Sequence, residues 1–384
     1  MNQMNAQTKT GAEISIERTQ GQTAELTVVV PTFNERDNVL EVVQRLDSCL
    51  RGYAWEAIFV DDDSPDGTAD RIREMGRQDR RIRCIQRIGR RGLSSACTEG
   101  MLASSAPYLA VMDADCQHDE TALPRMVELL KAGEADIVVG SRYVDGGGIG
   151  NWNASRAKMS RFATRLSRLV IKQDLSDPMS GFFAFRGDVL NPAVRNLSNL
   201  GFKILLDLLA SSPRPLRLKE VPYEFRNRHA GESKLDNQAM WDYLMLLLDK
   251  LVGHIVPVRF IAFGLVGAVG VVLHFAVLTT LFRGMGLPFA VSQASATIAA
   301  MFSNFVINNV LTFRDMRLKG WRWARGLALF VLVCGIGALA NVGIASYLFS
   351  RNRMWVLAAF AGIVVGAVWN YAMSAMYTWG KRTR

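Results

Sequence analysis

Four apolar stretches in the last third of the chain constrain its fold more than any other feature. They cover residues 260–282, 287–313, 326–350 and 354–380, and none of them contains Asp, Glu, Lys or Arg. A helix needs about 20 residues to cross the hydrocarbon core of a bilayer, and each stretch is long enough. Buried helices of a soluble protein are a poor alternative, because four such stretches in succession are rare there. The sequence therefore predicts an all-α domain with four transmembrane helices over residues 258–384.

Basic residues are unevenly divided between the two ends of these stretches. Ten lie on one side, namely Lys250, Arg259, Arg314, Arg317, Lys319, Arg322, Arg325, Lys381, Arg382 and Arg384. Three lie on the other side, namely Arg283, Arg351 and Arg353. Lys and Arg accumulate on the cytoplasmic side of membrane proteins. We therefore expect a multi-pass protein of the cell or inner membrane, with its N-terminal domain in the cytoplasm.

Charge and cysteine usage narrow the class of protein further. The net charge of +10 favours anionic partners such as phosphates and lipid headgroups. The five cysteines are scattered and form neither a disulfide framework nor a metal-binding pair, so we expect reduced thiols. Residues 1–25 are polar and lack the apolar core of a signal peptide, which predicts a disordered tail.

Residues 26–236 alternate between apolar strands and helices, as an open α/β sheet requires. Strands are predicted at residues 26–30, 57–60, 108–112 and 137–139 and around Ile85. Helices are predicted to begin near Asp37, Thr68 and Gly92. The result is a Rossmann-like open sheet, in which ligands bind beyond the carboxyl ends of the strands.

Two acidic clusters fall at these strand ends. Asp61, Asp62 and Asp63 follow the second strand, and Asp113 and Asp115 follow the fourth. Asp is also common in turns and helix caps, which is the competing interpretation of either cluster alone. Together, five carboxylates at one edge would repel one another unless a cation or hydrogen-bond donors compensate them. Asp113 and Asp115 with Gln117 supply oxygen ligands suited to Mg²⁺ or Mn²⁺, whereas a P-loop is absent from the sequence.

Residues 156–172 contain six basic and no acidic residues, and apolar residues recur among them at three- and four-residue steps. This pattern predicts an amphipathic helix. Such a helix suits the lipid headgroup region, although an ordinary surface helix packed on the sheet is the alternative. Residues 237–257 predict a second interface helix and a linker to the first span. Because no nucleic-acid-binding module accompanies the basic charge, we expect no nucleic-acid partner.

The membrane domain has the pattern of an internal duplication. A shift of 67 residues aligns Phe263 and Gly270 with Phe330 and Gly337. A shift of 66 residues aligns the following polar and aromatic positions, namely Asn304, Phe305 and Thr312 with Asn370, Tyr371 and Thr378. The polar groups at membrane depth are His274, Asn304, Asn308, Asn309, Asn341 and Asn370. Helix–helix contacts are the favoured interpretation of these groups, and contacts with lipid phosphate are the alternative.

Six motifs of the N-terminal domain occur in the order and spacing of a known family. They are VPTFNE at residues 30–35, VDDDSPDGT at 60–68, DADCQH at 113–118, VGSRY at 139–143, DPMSGF at 177–182 and FRNRHAGESKL at 225–235. The chain from about Leu26 to Leu251 thereby resembles glycosyltransferase family 2, and within it the dolichyl-phosphate mannose synthases and their bacterial polyprenol relatives. The last four helices resemble the GtrA-like membrane domain.

The resemblance implies a GT-A fold and a role for each matching residue. Nucleotide-sugar binding falls on Pro31, Phe33, Glu35, Val60, Asp62, Asp113, Ala114, Asp115, Arg228 and Lys234. The metal, Mg²⁺ or Mn²⁺, falls on Asp113, Asp115 and Gln117, and the catalytic roles fall on Asp115 and Arg228. Binding of the acceptor lipid phosphate falls on Arg142, Arg156 and Ser160. Ser233 lies in the same loop as Arg228 and Lys234, which is implied to close over the donor diphosphate.

The implied activity is a metal-dependent, inverting transfer of a sugar, with mannose from GDP-mannose favoured, onto polyprenyl phosphate in the bilayer. Two alternatives stay open at this point. The first is a polyprenol-phosphate glycosyltransferase that uses a UDP-sugar. The second is a protein that translocates or assembles lipid-linked sugars and whose soluble domain mainly recruits the substrate. The sequence also leaves the oligomeric state open.

Overall fold

A computed structural model of the chain describes residues 23–148, 154–171, 173–199, 201–226, 237–352 and 355–380. It divides into two compact units. The N-terminal unit comprises the chain up to Leu166 together with Gln173–Asn199 and Lys203–Glu232. The C-terminal unit comprises Ser167–Lys172, Leu200–Phe202 and the chain from Ser233 onward.

A seven-stranded mixed sheet forms the centre of the N-terminal unit. Its strands are β1 Leu26–Thr32, β2 Trp55–Asp61, β3 Ile82–Gln86, β4 Tyr108–Val111, β5 Ile137–Ser141, β6 Phe183–Arg186 and β7 Leu218–Pro222. Their order in the sheet is β3-β2-β1-β4-β6-β5-β7. β6 runs antiparallel to β4 and β5, and the other neighbouring pairs are parallel. β1 lies at the switch point between β2 and β4 and is buried along its whole length.

Seven helices accompany the sheet within the described residues. They are α1 Val39–Cys49, α2 Thr68–Gln78, α3 Leu93–Leu102, α4 Leu123–Lys131, α5 Ala154–Ser167, α6 Leu190–Ala193 and α7 Ile204–Ser211. In α1, for example, Val39, Val42 and Leu46 recur at three- and four-residue steps and are buried in the core. Short 3₁₀ turns occur at Glu120–Ala122, Gly187–Val189 and Val194–Asn196.

The predicted α/β architecture is confirmed, with two strands added. All five predicted strands form, and helices begin at Val39, Thr68 and Leu93, close to the predicted starts. β6 and β7 were not predicted; β6 is inserted antiparallel between β4 and β5, and β7 is a half-exposed edge strand that ends in Pro222. The predicted basic helix over residues 156–172 is observed as α5, which begins two residues earlier and ends at Ser167.

The C-terminal unit is helical, as predicted. Its helices are α8 Asn237–Val252, α9 Val258–Thr279, α10 Phe289–Ile307, α11 Trp321–Asn352 and α12 Trp355–Met373. Within the described residues, three helices are long and apolar enough to cross a membrane, over Val258–Gly284, Phe289–Thr312 and Trp321–Asn341. α12 occupies most of the fourth predicted span and contains no charged residue. The assignment of α12 as a span stays a prediction, as do the proposed domain boundaries.

Three of these helices end in a π-turn, in which each amide bonds to the carbonyl five residues earlier. The turns are Thr280–Gly284 after α9, Asn308–Thr312 after α10 and Ser374–Thr378 after α12. The N–H of Phe313 donates to the carbonyl of Asn308 at 2.8 Å, and the N–H of Trp379 donates to that of Ser374 at 3.0 Å.

Candidate active site

The loop after β1 contributes the first group of predicted site residues. Pro31 lies in the strand, and Asn34 adopts a φ of 59°, which Asn tolerates better than most residues. The N–H of Glu35 donates to Thr68 Oγ1 at 3.1 Å, and its carboxylate accepts from Asn38 Nδ2 at 2.7 Å. These bonds fix the loop at the start of α1, so that Pro31, Phe33 and Glu35 lie together at the carboxyl end of β1.

Arg91 packs its guanidinium against the aromatic ring of Phe33. The guanidinium carbon lies 4.3 Å from the ring centroid, within the range of a cation–π contact. The arrangement places a cation beside one of the residues predicted to hold the nucleoside. Sequence reasoning did not identify Arg91, because the contact joins two loops that lie far apart in the chain.

The acidic cluster after β2 divides into two kinds of carboxylate. Asp61 is fully buried and accepts from the Ser64 hydroxyl at 2.6 Å and from the Ser64 N–H at 2.9 Å, so it shapes the turn. Asp62, which follows Val60 and Asp61, accepts from Arg87 Nη1 at 2.7 Å and from the N–H of Gly92 at 2.6 Å. Asp62 is therefore held in place by a buried arginine.

Arg87 was missed by the sequence reasoning, although it holds several groups of the site together. Its side chain is only 3% exposed, and Nη2 donates to Ser95 Oγ at 2.6 Å. Nη1 also donates to the carbonyl of Gly92 at 3.0 Å. Gly92 has a φ of 142°, which favours glycine, and it starts α3. The Asp62 carboxylate, the glycine loop and α3 thus depend on one side chain.

The second acidic cluster, residues 113–117, follows β4. Because β4 pairs with β1 in parallel and Met112 donates its N–H to the carbonyl of Val29 at 3.1 Å, this cluster lies at the same edge of the sheet as the β1 loop. Asp113 is partly exposed, whereas Ala114 and Asp115 are buried. Asp115 Oδ1 accepts from the N–H of Gln117 at 3.2 Å, which helps to close the turn at Cys116, whose φ is 58°.

Hydrogen bonds to the segment that follows β7 orient Gln117. Its Nε2 donates to the carbonyl of Arg226 at 3.1 Å, and its own carbonyl accepts from the N–H of Arg226 at 2.9 Å. Because Nε2 is occupied in this way, Oε1 is the atom of the side chain that can act as a ligand. The structure therefore brings Asp113, Asp115 and Gln117 together in one short turn.

These three residues fit a divalent cation by their chemistry. Two carboxylates and an amide oxygen are the hard ligands that Mg²⁺ and Mn²⁺ prefer. Within the described ranges, no three side chains of His, Cys, Asp or Glu gather into a metal cage of their own. A cation bound here would therefore need Gln117 and the oxygens of a bound phosphate to complete its coordination. Gly181 leaves the room, because a Cβ at this position would lie 3.0 Å from Asp113 Oδ2.

His118 supports this turn and does not reach outward. Its Nδ1 accepts from the N–H of Asp113 at 3.2 Å, and its ring stacks on Phe182 with centroids 5.3 Å apart. Burial lowers the pKa of His118 to about 4, so the imidazole is neutral at pH 7. A buried neutral ring that is bonded to the Asp113 backbone positions the acidic cluster; it is not placed to accept a proton from a substrate.

Arg142, predicted at the acceptor site, is paired within the protein. Its Nε and Nη2 donate to the two carboxylate oxygens of Asp177 at 2.7 and 2.8 Å, and Asp177 is fully buried. Burial of Arg142 acts to lower its pKa, but the pair with Asp177 outweighs burial and holds this pKa above its usual value. Arg142 therefore carries a permanent charge that Asp177 largely balances.

Of the other two predicted acceptor residues, the structure describes the side chain of Ser160 but only the backbone of Arg156. Ser160 in α5 lies with its Oγ 2.8 Å from the hydroxyl of Tyr143, the residue that follows Arg142 in the chain. Arg156 lies in the first turn of α5, whose backbone is described. The Arg156 side chain, together with Arg228, Ser233 and Lys234, lies outside the part of the chain whose side chains the structure describes.

Comparison with known proteins identifies the family. A dolichol-phosphate mannosyltransferase from Pyrococcus furiosus is 34% identical over 358 residues, which cover 92% of this chain and 99% of that protein. This chain belongs to the dolichol-phosphate mannosyltransferase family. A second dolichol-phosphate mannosyltransferase, from Saccharomyces cerevisiae, is 37% identical over 238 residues, which cover 59% of this chain and 87% of that protein.

Two family models match this chain, one over each of the two domains that the sequence predicts. Glycosyl transferase family 2 matches residues 27–192, and GtrA/DPMS, transmembrane domain, matches residues 262–379. The predicted resemblance to both families is confirmed, and so is the prediction of a membrane protein. Among solved structures, glucosyl-3-phosphoglycerate synthase from Mycobacterium tuberculosis is 18% identical, with a TM-score of 0.44 over 60% of this chain and 79% of that chain.

In this member of the family, Arg226 connects the acidic turn at residues 113–117 to the segment that follows β7. Its Nη1 donates to the carboxylate of Glu120 at 3.0 Å and its Nη2 to Asp119 at 2.8 Å. Together with the two bonds to Gln117, these contacts fix the second residue of the motif at 225–235, which also contains Arg228. Sequence reasoning assigned the motif but not this anchor, because its partners lie about a hundred residues away.

We expect Arg226→Ala to raise the KM for the nucleotide sugar at least about tenfold, because a loosened loop misplaces the groups that it carries. Arg73→Ala, which removes an exposed ion pair with Asp70 of similar length, is the matched control and should leave this KM unchanged. Initial-rate kinetics with varied donor concentration provide the measurement. An unchanged KM in Arg226→Ala would show that the loop does not depend on this anchor.

Proposed function

We propose that this protein transfers mannose from GDP-mannose to the phosphate of a polyprenyl lipid of the dolichyl type and produces a polyprenyl-phosphate mannose. The observation that carries the proposal is the similarity to a dolichol-phosphate mannosyltransferase over 99% of that protein's length, which includes both units. The cluster of acidic and amide side chains at the ligand edge of the sheet supports it, because such groups suit a sugar bound to a diphosphate.

In this proposal, the donor nucleoside lies against the loops that follow β1 and β2. Pro31, Phe33 and Glu35 form one side, and Val60 and Asp62 form the other. These strands are neighbours with Thr32 opposite Asp61, so their ends are level and can contact one ligand. Arg87 holds the Asp62 carboxylate in place, and Arg91 beside Phe33 adds a cation near an anionic nucleotide.

The donor diphosphate lies against Asp113, Ala114, Asp115 and Gln117. Mg²⁺ or Mn²⁺ held by Asp113, Asp115 and Gln117 would neutralise the charge that develops on the leaving diphosphate. His118 holds the backbone N–H of Asp113, and Gly181 leaves space beside its carboxylate. Arg228 and Lys234 are proposed to close over the diphosphate from the loop that Arg226 anchors.

The acceptor phosphate needs no general base from the protein. The second pKa of a phosphate monoester is about 6, so its oxygen is already a nucleophile at neutral pH. The role of the protein is then to bring two anions together and to align them. Direct displacement by the phosphate oxygen inverts the anomeric centre. Since His118 is buried and neutral, its placement is consistent with a site that lacks a base.

Arg142, Arg156 and Ser160 are proposed to hold the acceptor phosphate. Arg156 lies in the first turn of α5, where free backbone N–H groups and the helix dipole favour an anion. Ser160 follows one turn later on the same side of the helix. The excess of Lys and Arg on one side of the spans supports a cytoplasmic location for the N-terminal unit and thus a reaction at the cytosolic membrane face.

The experiment that tests the function is incubation of the purified protein and polyprenyl phosphate with a panel of nucleotide sugars, followed by mass spectrometry of the lipid fraction. We expect a mannosyl lipid from GDP-mannose. A product from a UDP-sugar alone would replace the proposed donor and keep the reaction. Absence of any glycosylated lipid across the panel would contradict a transferase.

We expect Arg156→Ala to raise the KM for polyprenyl phosphate roughly tenfold and to leave the KM for the donor unchanged, because one charge-assisted contact is lost. Arg156→Lys should rescue only part of this loss, since an ammonium cannot supply the paired donors of a guanidinium. A tenfold loss of donor affinity with unchanged acceptor kinetics would move Arg156 to the donor site.

A chain that ends at Asp249 is expected to retain nucleotide-sugar binding, because every donor motif precedes that residue. Its transfer to long-chain polyprenyl phosphate in vesicles should fall, because the membrane helices no longer raise the effective concentration of the acceptor. Donor binding by calorimetry and transfer at low enzyme concentration are the two measurements. Undiminished transfer would assign the membrane helices to a step other than acceptor delivery.

A further inference from the structure

The C-terminal unit consists of two helix pairs, α9–α10 and α11–α12, whose side-chain contacts repeat. Gly270 in α9 lies so close to the side chain of Asn304 in α10 that a Cβ on this glycine would overlap the amide. Gly337 in α11 lies in the same way against Asn370 in α12. These are the residues that shifts of 67 and 66 positions align in the sequence. The duplication therefore extends from the sequence to the packing of each pair.

Contacts between the pairs repeat reciprocally. Phe305 in α10 lies 5.7 Å from Phe330 in α11, and the equivalent residues Tyr371 and Phe263 lie 5.8 Å apart. Phe313 stacks on its own equivalent, Trp379, with centroids 4.3 Å apart and planes at 7°. Reciprocal contacts of this kind are the mark of an approximate two-fold axis. Since α9 and α11 run in the same direction across the membrane, the axis follows the membrane normal.

Each half carries a row of three polar side chains on successive helix turns. The first row is Asn304, Asn308 and Thr312, and the second row, 66 positions later, is Asn370, Ser374 and Thr378. Asn308 and Ser374 are 1% and 0% exposed. One side-chain oxygen of every residue in both rows is buried without a hydrogen-bond partner. In the described part of the C-terminal unit, no other side chain has this property.

Ordinary helix–helix bonding does not account for the two rows. Asn309, beside the first row, shows what such bonding looks like here, because its side chain bonds to the N–H and carbonyl of Leu318 at 2.8 and 3.2 Å. Trp379 Nε1 also donates to Asn309 Oδ1 at 3.1 Å. Buried polar atoms in proteins nearly always have partners, and an unpaired one is costly. Six unpaired oxygens at equivalent positions therefore indicate a ligand.

The backbone and the position in the membrane support the same conclusion. Both rows end in π-turns, at Asn308–Thr312 and Ser374–Thr378, and such turns are frequent at functional sites. The first and last residues of each row are eight positions apart, or about 12 Å along the helix. Each row ends beside a basic flank, Arg314 or Lys381, and therefore extends from one membrane surface toward the middle of a hydrocarbon core that is about 30 Å thick.

The chemistry of the rows defines the ligand. The unpaired amide oxygens of Asn304, Asn308 and Asn370 only accept hydrogen bonds, and the hydroxyls of Thr312, Ser374 and Thr378 accept and donate. Neither row contains a charged side chain. A ligand with several O–H donors satisfies all six oxygens without bringing a charge into the membrane.

We propose that the two rows are equivalent sites that bind hydroxyl groups inside the membrane. The hydroxyl groups come either from water or from the sugar of a polyprenyl-phosphate sugar. The existence of the sites rests on the C-terminal unit alone, and only the sugar source rests on the proposed function.

The test uses the full chain in lipid nanodiscs with single cysteine replacements. Asn304→Cys and Asn370→Cys report on the rows, and the smaller side chain fits beside the glycine that each asparagine contacts. Phe302→Cys and Val368→Cys are matched controls at nearly the same depth, where the native side chains are about half exposed on the outer surface of the helices. Each variant is treated with a water-soluble, membrane-impermeant thiol reagent, and the parent chain with its five cysteines provides the baseline.

We expect the row cysteines to react at least tenfold faster than the two controls. Protection by added polyprenyl-phosphate mannose, but not by polyprenyl phosphate, identifies the sugar as the source; rapid reaction without protection identifies water. Equal rates at row and control positions overturn the proposal. These rates do not depend on transferase activity, so a failed transfer assay leaves the result intact.

A second measurement covers the case in which the cysteine variants fold poorly. Ser374→Ala is a small change at a fully buried position. If the hydroxyl bonds to water, or to the sugar of added polyprenyl-phosphate mannose, the thermal unfolding temperature of the full chain falls in that condition. If the hydroxyl has no partner, its removal raises this temperature, and that result contradicts a bound ligand in the second row.

Discussion

Asp115→Asn is expected to reduce transfer at least about 100-fold, because even the outer partners of metal ligands contribute 10–100-fold to metal affinity or activity. The substitution keeps the shape of the side chain and its bond from the Gln117 N–H. It removes one negative charge from the group proposed to hold Mg²⁺ or Mn²⁺. The fold should survive, since the apolar strands around it are unchanged. Turnover and calorimetric binding of Mn²⁺ in the presence of GDP are the measurements.

Asp63→Asn is the matched control for this prediction. Asp63 also lies in an acidic cluster at a strand end, and it accepts from Gln86 Nε2 at 3.0 Å, a bond that an amide oxygen can keep. Its φ of 58° is one that Asn tolerates. We expect near-normal turnover from Asp63→Asn. Near-normal turnover from Asp115→Asn with EDTA present would show that the metal assignment is wrong.

Local signals in the sequence were sufficient to place the edge of the sheet where the site lies. Strands β1, β2 and β4 are apolar runs that end in polar motifs, and parallel strands place their carboxyl ends at one edge. The positions of Asp62 and Asp113 therefore followed from the strand prediction alone. The membrane helices were equally accessible, because a span of about 20 apolar residues is itself the signal.

Pairings between distant residues were not accessible in this way. Arg87 binds Asp62 across 25 positions, and Arg142 binds Asp177 across 35. No periodicity connects such residues, so only the fold shows that Arg142 is paired. The antiparallel strand β6 was missed for a related reason: its place between β4 and β5 is decided by pairing with strands that are distant in the chain.

The duplication in the C-terminal unit lies between these cases. A shift of 66 residues in the sequence aligned Asn304 with Asn370. Because the membrane helices use few residue types, this alignment was an interpretation and not proof of a duplication. The structure adds that both asparagines face a glycine of the preceding helix. It also adds Asn308 and Ser374, whose side chains differ and which the alignment alone did not connect. Asn308 and Ser374 are recognised as equivalent because both are buried and both have an unpaired side-chain oxygen.

Asp177→Asn is expected to lower the free energy of unfolding of the N-terminal unit by about 3–5 kcal/mol, because it leaves the buried guanidinium of Arg142 without a counter-charge. For a unit of this size, the unfolding temperature should fall by roughly 10 °C. Asp188→Asn is the matched control. Asp188 pairs with Arg186 through the same two-pronged geometry at 3.2 and 3.0 Å, but on the surface. Its loss should cost less than about 1 kcal/mol.

A double variant separates the structural role of Arg142 from its proposed role at the acceptor phosphate. Replacing both partners of a buried ion pair by apolar residues is often neutral for stability, so Arg142→Met with Asp177→Leu should recover most of the lost unfolding temperature. If Arg142 also contacts the acceptor, the KM for polyprenyl phosphate stays raised in this stable variant, while the KM for the donor returns to normal. If both constants return to normal, Arg142 serves only to hold Asp177 in the core, and the acceptor phosphate must be bound by α5 without it.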